Sequence, residues 1–335
     1  MSKNVLKSIL LSLIVFLVGL FLGSKGFIFK NNSASSDVPA DCKNAYRLLN
    51  SFVACNLPEE KNLEMVKVLD SEINELINSS IKDKKATKIS VFFRDLTSKK
   101  WVGINQNENY APASLLKLPL LIAYFKLKEI QPDIFSEKFV FDNKYSGKIT
   151  QNIEPEVRLE EGKEYTVEEL LYQMIVYSDN DAMELLGVSI DQNFITKVFD
   201  DLGINVPINN SDTKILISPQ IYAGIFRLLY NSSYLTRQSS EEILELLDKT
   251  NFKDGLVAGL PSEIFVSHKF GERQIKNQNT IFTVNELHDC GIVYYPNHPY
   301  ILCVMTMGGS FDNLKEIVKK ISSLTYEEFD KINKK

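Results

Sequence analysis

The sequence predicts an α/β protein of the α+β kind, an antiparallel sheet flanked by helices with an all-helical lobe inserted into it. Three observations lead there. Strand-like runs cluster at the two ends of the body of the chain, the middle from about Tyr165 to Leu247 is helical in pattern, and amphipathic helices open and close the whole.

The elements follow in order. Leu63, Val66, Leu69, Ile73, Leu76 and Ile77 recur at three- and four-residue steps, which places them on one face of a helix. Lys88–Asp95 and Trp101–Ile104 are strand candidates joined by a polar turn. A helical stretch runs from about Ser114 to Lys128. In the middle region Thr166 and Glu169 have the spacing of a capping box, and Ser218-Pro219 has the form of a helix start with proline in the first turn. Strand character returns at Glu263–Lys269, Asn279–Glu286, Cys290–Tyr295 and Tyr300–Met307, with a turn at Pro296–Pro299. A last amphipathic helix is expected over Asn313–Leu324, followed by a solvated polar tail, 325–335.

Ahead of this body, residues 1–29 combine Lys3 and Lys7 with an uncharged apolar run from Ser8 to Gly23, then Lys25 and a further apolar Gly26–Phe29. No small-x-small cleavage site follows, so an uncleaved membrane anchor is expected rather than a cleaved signal peptide. The basic residues come first, which keeps the N-terminus inside and exports the body as a single-pass, extracytoplasmic domain, or a secreted one if the segment is cleaved. Residues 30–60 read as a polar linker and a short Cys-bounded piece, and 61–324 as the main domain.

The chain has 335 residues, 44% hydrophobic and 24% charged, which suits a domain with a sizeable core. A formal net charge of −5 gives no reason to expect nucleic-acid binding. His268, His288 and His298 stand at no metal-ligand spacing, so neither a metal nor another cofactor is expected. In an oxidising compartment Cys42 and Cys55 could close a small loop. Cys290 and Cys303, on neighbouring apolar runs, are either buried strand cysteines or a disulfide.

Three short motifs carry chemistry. In Ser114-Leu-Leu-Lys117, a serine and a lysine three apart share a helix face. At a helix N-terminus the free backbone N–H groups favour developing negative charge, and a neutral lysine can take the serine proton. In Ser178-Asp-Asn180, a hydroxyl and an amide can face one cavity: Ser178 to relay a proton to a leaving nitrogen, Asn180 to hold a substrate carbonyl, Asp179 to fix the turn. In Lys269-Phe-Gly271, a strand-end lysine can attract a substrate carboxylate and the glycine can admit substrate backbone. Each motif alone also arises from an ordinary cap, turn or edge strand. Their order, each on the right kind of element, is far more specific.

In this set the chain resembles the class A β-lactamases and the related serine penicillin-binding proteins, which share S-x-x-K, S-D-N and K-[T/S]-G. The resemblance spans about 61–324. It implies Ser114 as nucleophile, Lys117 as base and Ser178 as relay, with Asn180, Lys269, Gly271, Glu272 and Arg273 around the substrate. It further implies an oxyanion hole from the N–H groups of Ser114 and Glu272. The implied substrate is a β-lactam or a peptidoglycan stem peptide ending in D-Ala-D-Ala.

Two departures matter. Phe270 replaces a hydroxyl residue, and Glu272 stands where Ser or Thr is usual; its carboxylate would repel a substrate carboxylate unless it points away or Arg273 offsets it. The class A deacylating glutamate has no counterpart in the stretch 203–219, whose only acid is Asp212. Glu184 sits on a helix, and Glu154-Pro-Glu156 precedes Ser178, the wrong side. Fast acylation and slow release are therefore expected. The competing readings are a catalytically silent surface-binding module of the same fold and an esterase of wider acyl specificity.

Overall fold

The computed structural model describes residues 63–142, 151–206, 215–276 and 283–333. The chain divides into a unit of residues 1–43 and one of 44–335, and the described residues fall in the second. The expected anchor, the linker, Cys42 and Cys55, and Asp212 lie outside the described residues. Among the described residues no helix is long and apolar enough to cross a membrane.

The described elements are α1 (Leu63–Lys82), β1 (Lys88–Asp95), β2 (Trp101–Ile104), a 3₁₀ turn (Ala113–Leu116), α2 (Lys117–Lys128), β3 (Lys138–Val140) and β4 (Glu164–Thr166). Then come α3 (Val167–Val176), α4 (Asn180–Ser189), α5 (Gln192–Asp201), α6 (Pro219–Tyr230), α7 (Arg237–Asp248), β5 (Val266–Lys276), β6 (Thr283–Val293), β7 (Tyr300–Met307) and α8 (Phe311–Asn333). Five strands form an antiparallel sheet in the order β2-β1-β7-β6-β5. Both ends of the chain build it, and the helices α3 to α7 lie between them in sequence, as expected.

The centre of the sheet is buried on both faces, which is why β1 and β7 read as near-continuous apolar runs. On β7, Ile301, Cys303 and Met305 join the core shared with the helical lobe, while Tyr300, Leu302 and Val304 join the core under α1 and α8. The two sets alternate as the pleat requires. Helix α2 is apolar all round, with Lys117 to Phe125 buried, and forms the axis of the lobe core. Thr166 and Glu169 make the expected capping box, and Ser218 caps α6.

Three expectations are corrected. Asn279–Glu286 and Cys290–Tyr295 are not two strands: residues 279–282 lie outside the described residues, and β6 runs unbroken from Thr283 through His288-Asp289, which are fully buried and internally bonded. Strand β5 extends to Lys276, so Lys269 lies within it and not at its end; Glu272, Arg273 and Gln274 disguised the continuation. The tail expected to be solvated continues α8 to Asn333, with Thr325 and Phe329 buried. Cys290 and Cys303 face each other across β6 and β7 and are joined as a disulfide, which resolves the alternative left open by sequence.

Candidate active site

Ser114 sits in the 3₁₀ turn that leads into α2, and Lys117 is the first residue of that helix. The preceding residue, Ala113, has φ 48°, the left-handed region that non-glycine residues avoid. Such strain persists only where surroundings enforce it. Two side chains on β6 enforce it here. His288 Nε2 donates to the Ala111 carbonyl at 3.1 Å, and Glu286 accepts from the Ala111 N–H. Gly271 completes the seat. A Cβ on it would come within 2.9 Å of the Pro112 carbonyl oxygen and 3.0 Å of the Leu115 nitrogen. Its role is to let β5 approach the serine-bearing turn, a closer reason for glycine than room for substrate.

Ser178 lies between α3 and α4, also at positive φ, 55°. Asp179 caps α4, its Oδ1 accepting from the Ala182 N–H at 2.8 Å, which fixes the turn. That turn brings the second motif over the first. Lys117 Nζ is 3.0 Å from Ser114 Oγ, 3.1 Å from Ser178 Oγ, 2.5 Å from the Ser178 carbonyl and 2.7 Å from Asn180 Oδ1. From the other side, Lys269 Nζ donates to Ser178 Oγ at 3.0 Å and to the Phe270 carbonyl at 2.8 Å. Lys117, Ser178 and Lys269 are fully buried.

The electrostatics follow from that burial. Desolvation brings the Lys117 pKa down to about 7, against the opposing pull of Asp179, Glu272 and Asp181. Lys269 is pushed well below its ordinary value, by burial first and by the neighbouring Lys117 second. A neutral Lys117 has two hydrogens and one lone pair. The Ser178 carbonyl and Asn180 Oδ1 can only accept, so they take the hydrogens. The lone pair is left for the hydroxyls of Ser114 and Ser178. That is the arrangement a general base requires.

The structure thus brings together Ser114, Lys117, Ser178, Asn180 and Lys269. It turns the remaining expected residues elsewhere. The Phe270 ring is buried and stacks on Phe252 at 4.2 Å. Arg273 stands opposite Glu286 in the β5–β6 register and acts on that carboxyl. Glu272 is bound by a segment the sequence did not single out: its carboxylate accepts from the Asn152 N–H and Nδ2, both at 2.6 Å, and from the Ile153 N–H at 3.3 Å. Next to them, Gln151 Nε2 donates to the Ser178 carbonyl at 3.0 Å. Glu154 faces solvent and pairs with Arg158, so the E-P-E string is a surface feature. Nothing in the polar, aperiodic Gln151-Asn152 marks it, and nothing in the sequence marks His288, whose partner Ala111 lies far away in the chain. Among the described residues no group of His, Cys, Asp and Glu is placed to hold a metal ion.

With this geometry established, the chain matches the β-lactamase enzyme family over residues 68–329. No curated protein matches it in sequence. Among solved structures it is similar to PBP-A, with 22% identity over 83% of this chain and 100% of the other and a TM-score of 0.66. A PBP-A variant solved as an acyl-enzyme complex with penicillin G gives 21% identity, 82% and 100% coverage, and TM-score 0.66. The TLA-3 extended-spectrum β-lactamase gives 18% identity, 79% and 99% coverage, and TM-score 0.68. A β-lactamase from Sphaerobacter thermophilus gives 17% identity, 78% and 98% coverage, and TM-score 0.66. At these identities the likeness is one of fold.

Proposed function

Because the chain belongs to the β-lactamase enzyme family, we propose that it is a serine hydrolase acylated at Ser114 by β-lactams or D-Ala-D-Ala-type peptides and slow to release the acyl group. The observation that carries this is a buried, deprotonatable Lys117 within 3.0 Å of Ser114 Oγ, its two hydrogens claimed by carbonyl acceptors.

In this reading Lys117 takes the Ser114 proton as Oγ bonds to the substrate carbonyl carbon. The N–H groups of Ser114 and Glu272 hold the oxyanion. The C–N bond then breaks, and Ser178 gives its proton to the leaving nitrogen and is resupplied from Lys117. Asn180 keeps its Nδ2 for a substrate carbonyl. Lys269, donating to Ser178 Oγ, stabilises that oxygen as it loses its proton. Hydrolysis of the acyl-enzyme needs a base for water, and the stretch 203–219 offers no glutamate. The likeness to a fold captured with penicillin G bound covalently supports the acyl-enzyme. The body is proposed to work outside the cytoplasm, tethered by residues 1–29.

The test is covalent labelling of the full chain in detergent by a fluorescent penicillin, followed by a chase with unlabelled drug. Label that is absent from Ser114→Ala and persists for many minutes of chase is the expected result. Turnover at hundreds per second would show a true β-lactamase instead, and no label in either protein would favour the silent binding module.

A further inference from the structure

In the reading proposed above, a substrate group beside the scissile bond meets the edge of β5, and the charges of that edge are unusual. Phe270 offers no donor, since its ring is buried against Phe252. Lys269 is fully buried and donates to Ser178 Oγ and to the Phe270 carbonyl. Arg273 is set opposite Glu286. Lys269 thus spends two hydrogen bonds inside the protein, and Arg273 acts on the Glu286 carboxyl across the strand pair.

The N–H donors that could take a substrate carboxylate are already occupied. The backbone N–H groups of Asn152 and Ile153 and the Asn152 amide converge on a single carboxylate, that of Glu272, which is 9% exposed. Gln151 ties the same segment to the Ser178 carbonyl. Residues 151–153 therefore bridge the lobe that carries Ser178 and the strand that carries Glu272, and the protein's own anion fills the nest they make. Glu272 also lies near enough to act electrostatically on Lys117.

We propose that Glu272, held by Asn152 and Ile153, is the specificity-determining residue of this site and selects acyl donors that are neutral or cationic beside the scissile bond over those bearing a carboxylate there. A substrate carboxylate must approach a fixed, partly desolvated negative charge and finds its donors taken, so it acylates slowly. An ester- or amide-capped acyl donor meets neither obstacle. The inference rests on the acylation of Ser114 proposed above and orders its donors: β-lactams and D-Ala-D-Ala-type peptides with the free carboxylate react more slowly than their esters and amides.

The test compares benzylpenicillin with its methyl ester, which differ in that one charge. The second-order rate constant for acylation of the full chain is followed by intact-protein mass spectrometry. In the wild type the ester is expected to react faster than the acid. In Glu272→Gln, and in Glu272→Ser as a second variant, the ratio of acid to ester is expected to rise at least tenfold. A wild type that reacts faster with the acid overturns the inference without recourse to any variant, as does a ratio unmoved by both substitutions. Reaction of neither compound at Ser114 overturns the acyl-enzyme reading itself, and this inference with it.

Discussion

Lys117 is the residue on which stability and activity oppose each other. An unfolded lysine titrates near 10.5, whereas the folded Lys117 titrates at about 7. Between those values the unfolded chain binds a proton that the folded chain does not, so stability rises with pH across that window and is lowest below it. Holding the charge in the core costs on the order of 5 kcal/mol below pH 7 at about 1.4 kcal/mol per unit. Two outcomes are expected. The acylation rate should climb with pH through about 7 as the lone pair appears, measured with any β-lactam under single-turnover conditions. Lys117→Met should abolish acylation yet raise the urea midpoint at neutral pH; a less stable Lys117→Met would show that the hydrogen bonds to Ser178 and Asn180 outweigh desolvation. At this scale the sequence was informative where chemistry demands fixed spacing. Ser114, Lys117, Ser178, Asn180 and Lys269 were all readable. Asn152 and Gln151 were not, because they act through backbone and amide groups of a segment with no periodicity.

The element that holds the turn before Ser114 is β6, and its polar side chains hid it. Glu286 and His288 project from the same face and grip Ala111, three residues before Ser114. The next residue, Asp289, bonds His268 Nδ1 at 2.8 Å and the Leu256 N–H at 2.9 Å. A run of polar residues in a sequence argues for a turn, but here their partners lie on other elements, which sequence periodicity cannot show. The fully buried His288 has its pKa pushed down to about 4 by desolvation. Above the unfolded value of 6.5 it is neutral in both states. As pH falls from 6.5 toward 4 the unfolded histidine binds a proton and the folded one does not, so stability is lost over that window, by about 3 kcal/mol. Glu286 works in the opposite direction, since burial raises its pKa and the folded state gains protons first. The Tyr110 ring packs edge-on to His288 at 5.2 Å and carries no charge in this range. His288→Leu should therefore flatten the acid limb of a stability–pH curve while slowing acylation at neutral pH through a looser Ala111–Ser114 turn. An acid limb identical to the wild type would place the acid sensitivity elsewhere.

For the whole molecule, the question is what closes a sheet made from two distant parts of the chain. β1 and β2 come early, β5 to β7 come late, and the outer core between sheet and helices is completed only when α8 packs beside α1. The sequence showed this architecture well, because the strand runs and helix periods of a sheet whose centre is buried on both faces are strong signals. It concealed the final turns of α8, where charged residues surround two aromatics, Tyr326 and Phe329. Phe329 is the more deeply buried of the two. It is 2% exposed and meets Tyr300 at 5.1 Å, Tyr295 at 5.3 Å and Phe93 at 5.9 Å between ring centroids. These three rings come from β1, from β7 and from the turn between β6 and β7, so Phe329 links the early and late parts of the sheet. Phe329→Ala leaves a cavity that a sheet on one side and a helix on the other cannot collapse, and should cost about 3–5 kcal/mol in urea unfolding. Ser114 and Lys117 lie beside Leu115 and Leu118, which belong to the other core, the one shared with the helical lobe. Ser114 labelling per folded molecule should consequently stay within about twofold of the wild type, small against the tenfold that 1.4 kcal/mol represents. A loss of less than 1 kcal/mol would mean that the last turns of α8 contribute little, and that α1 and the earlier turns of α8 suffice to hold the two parts of the sheet together.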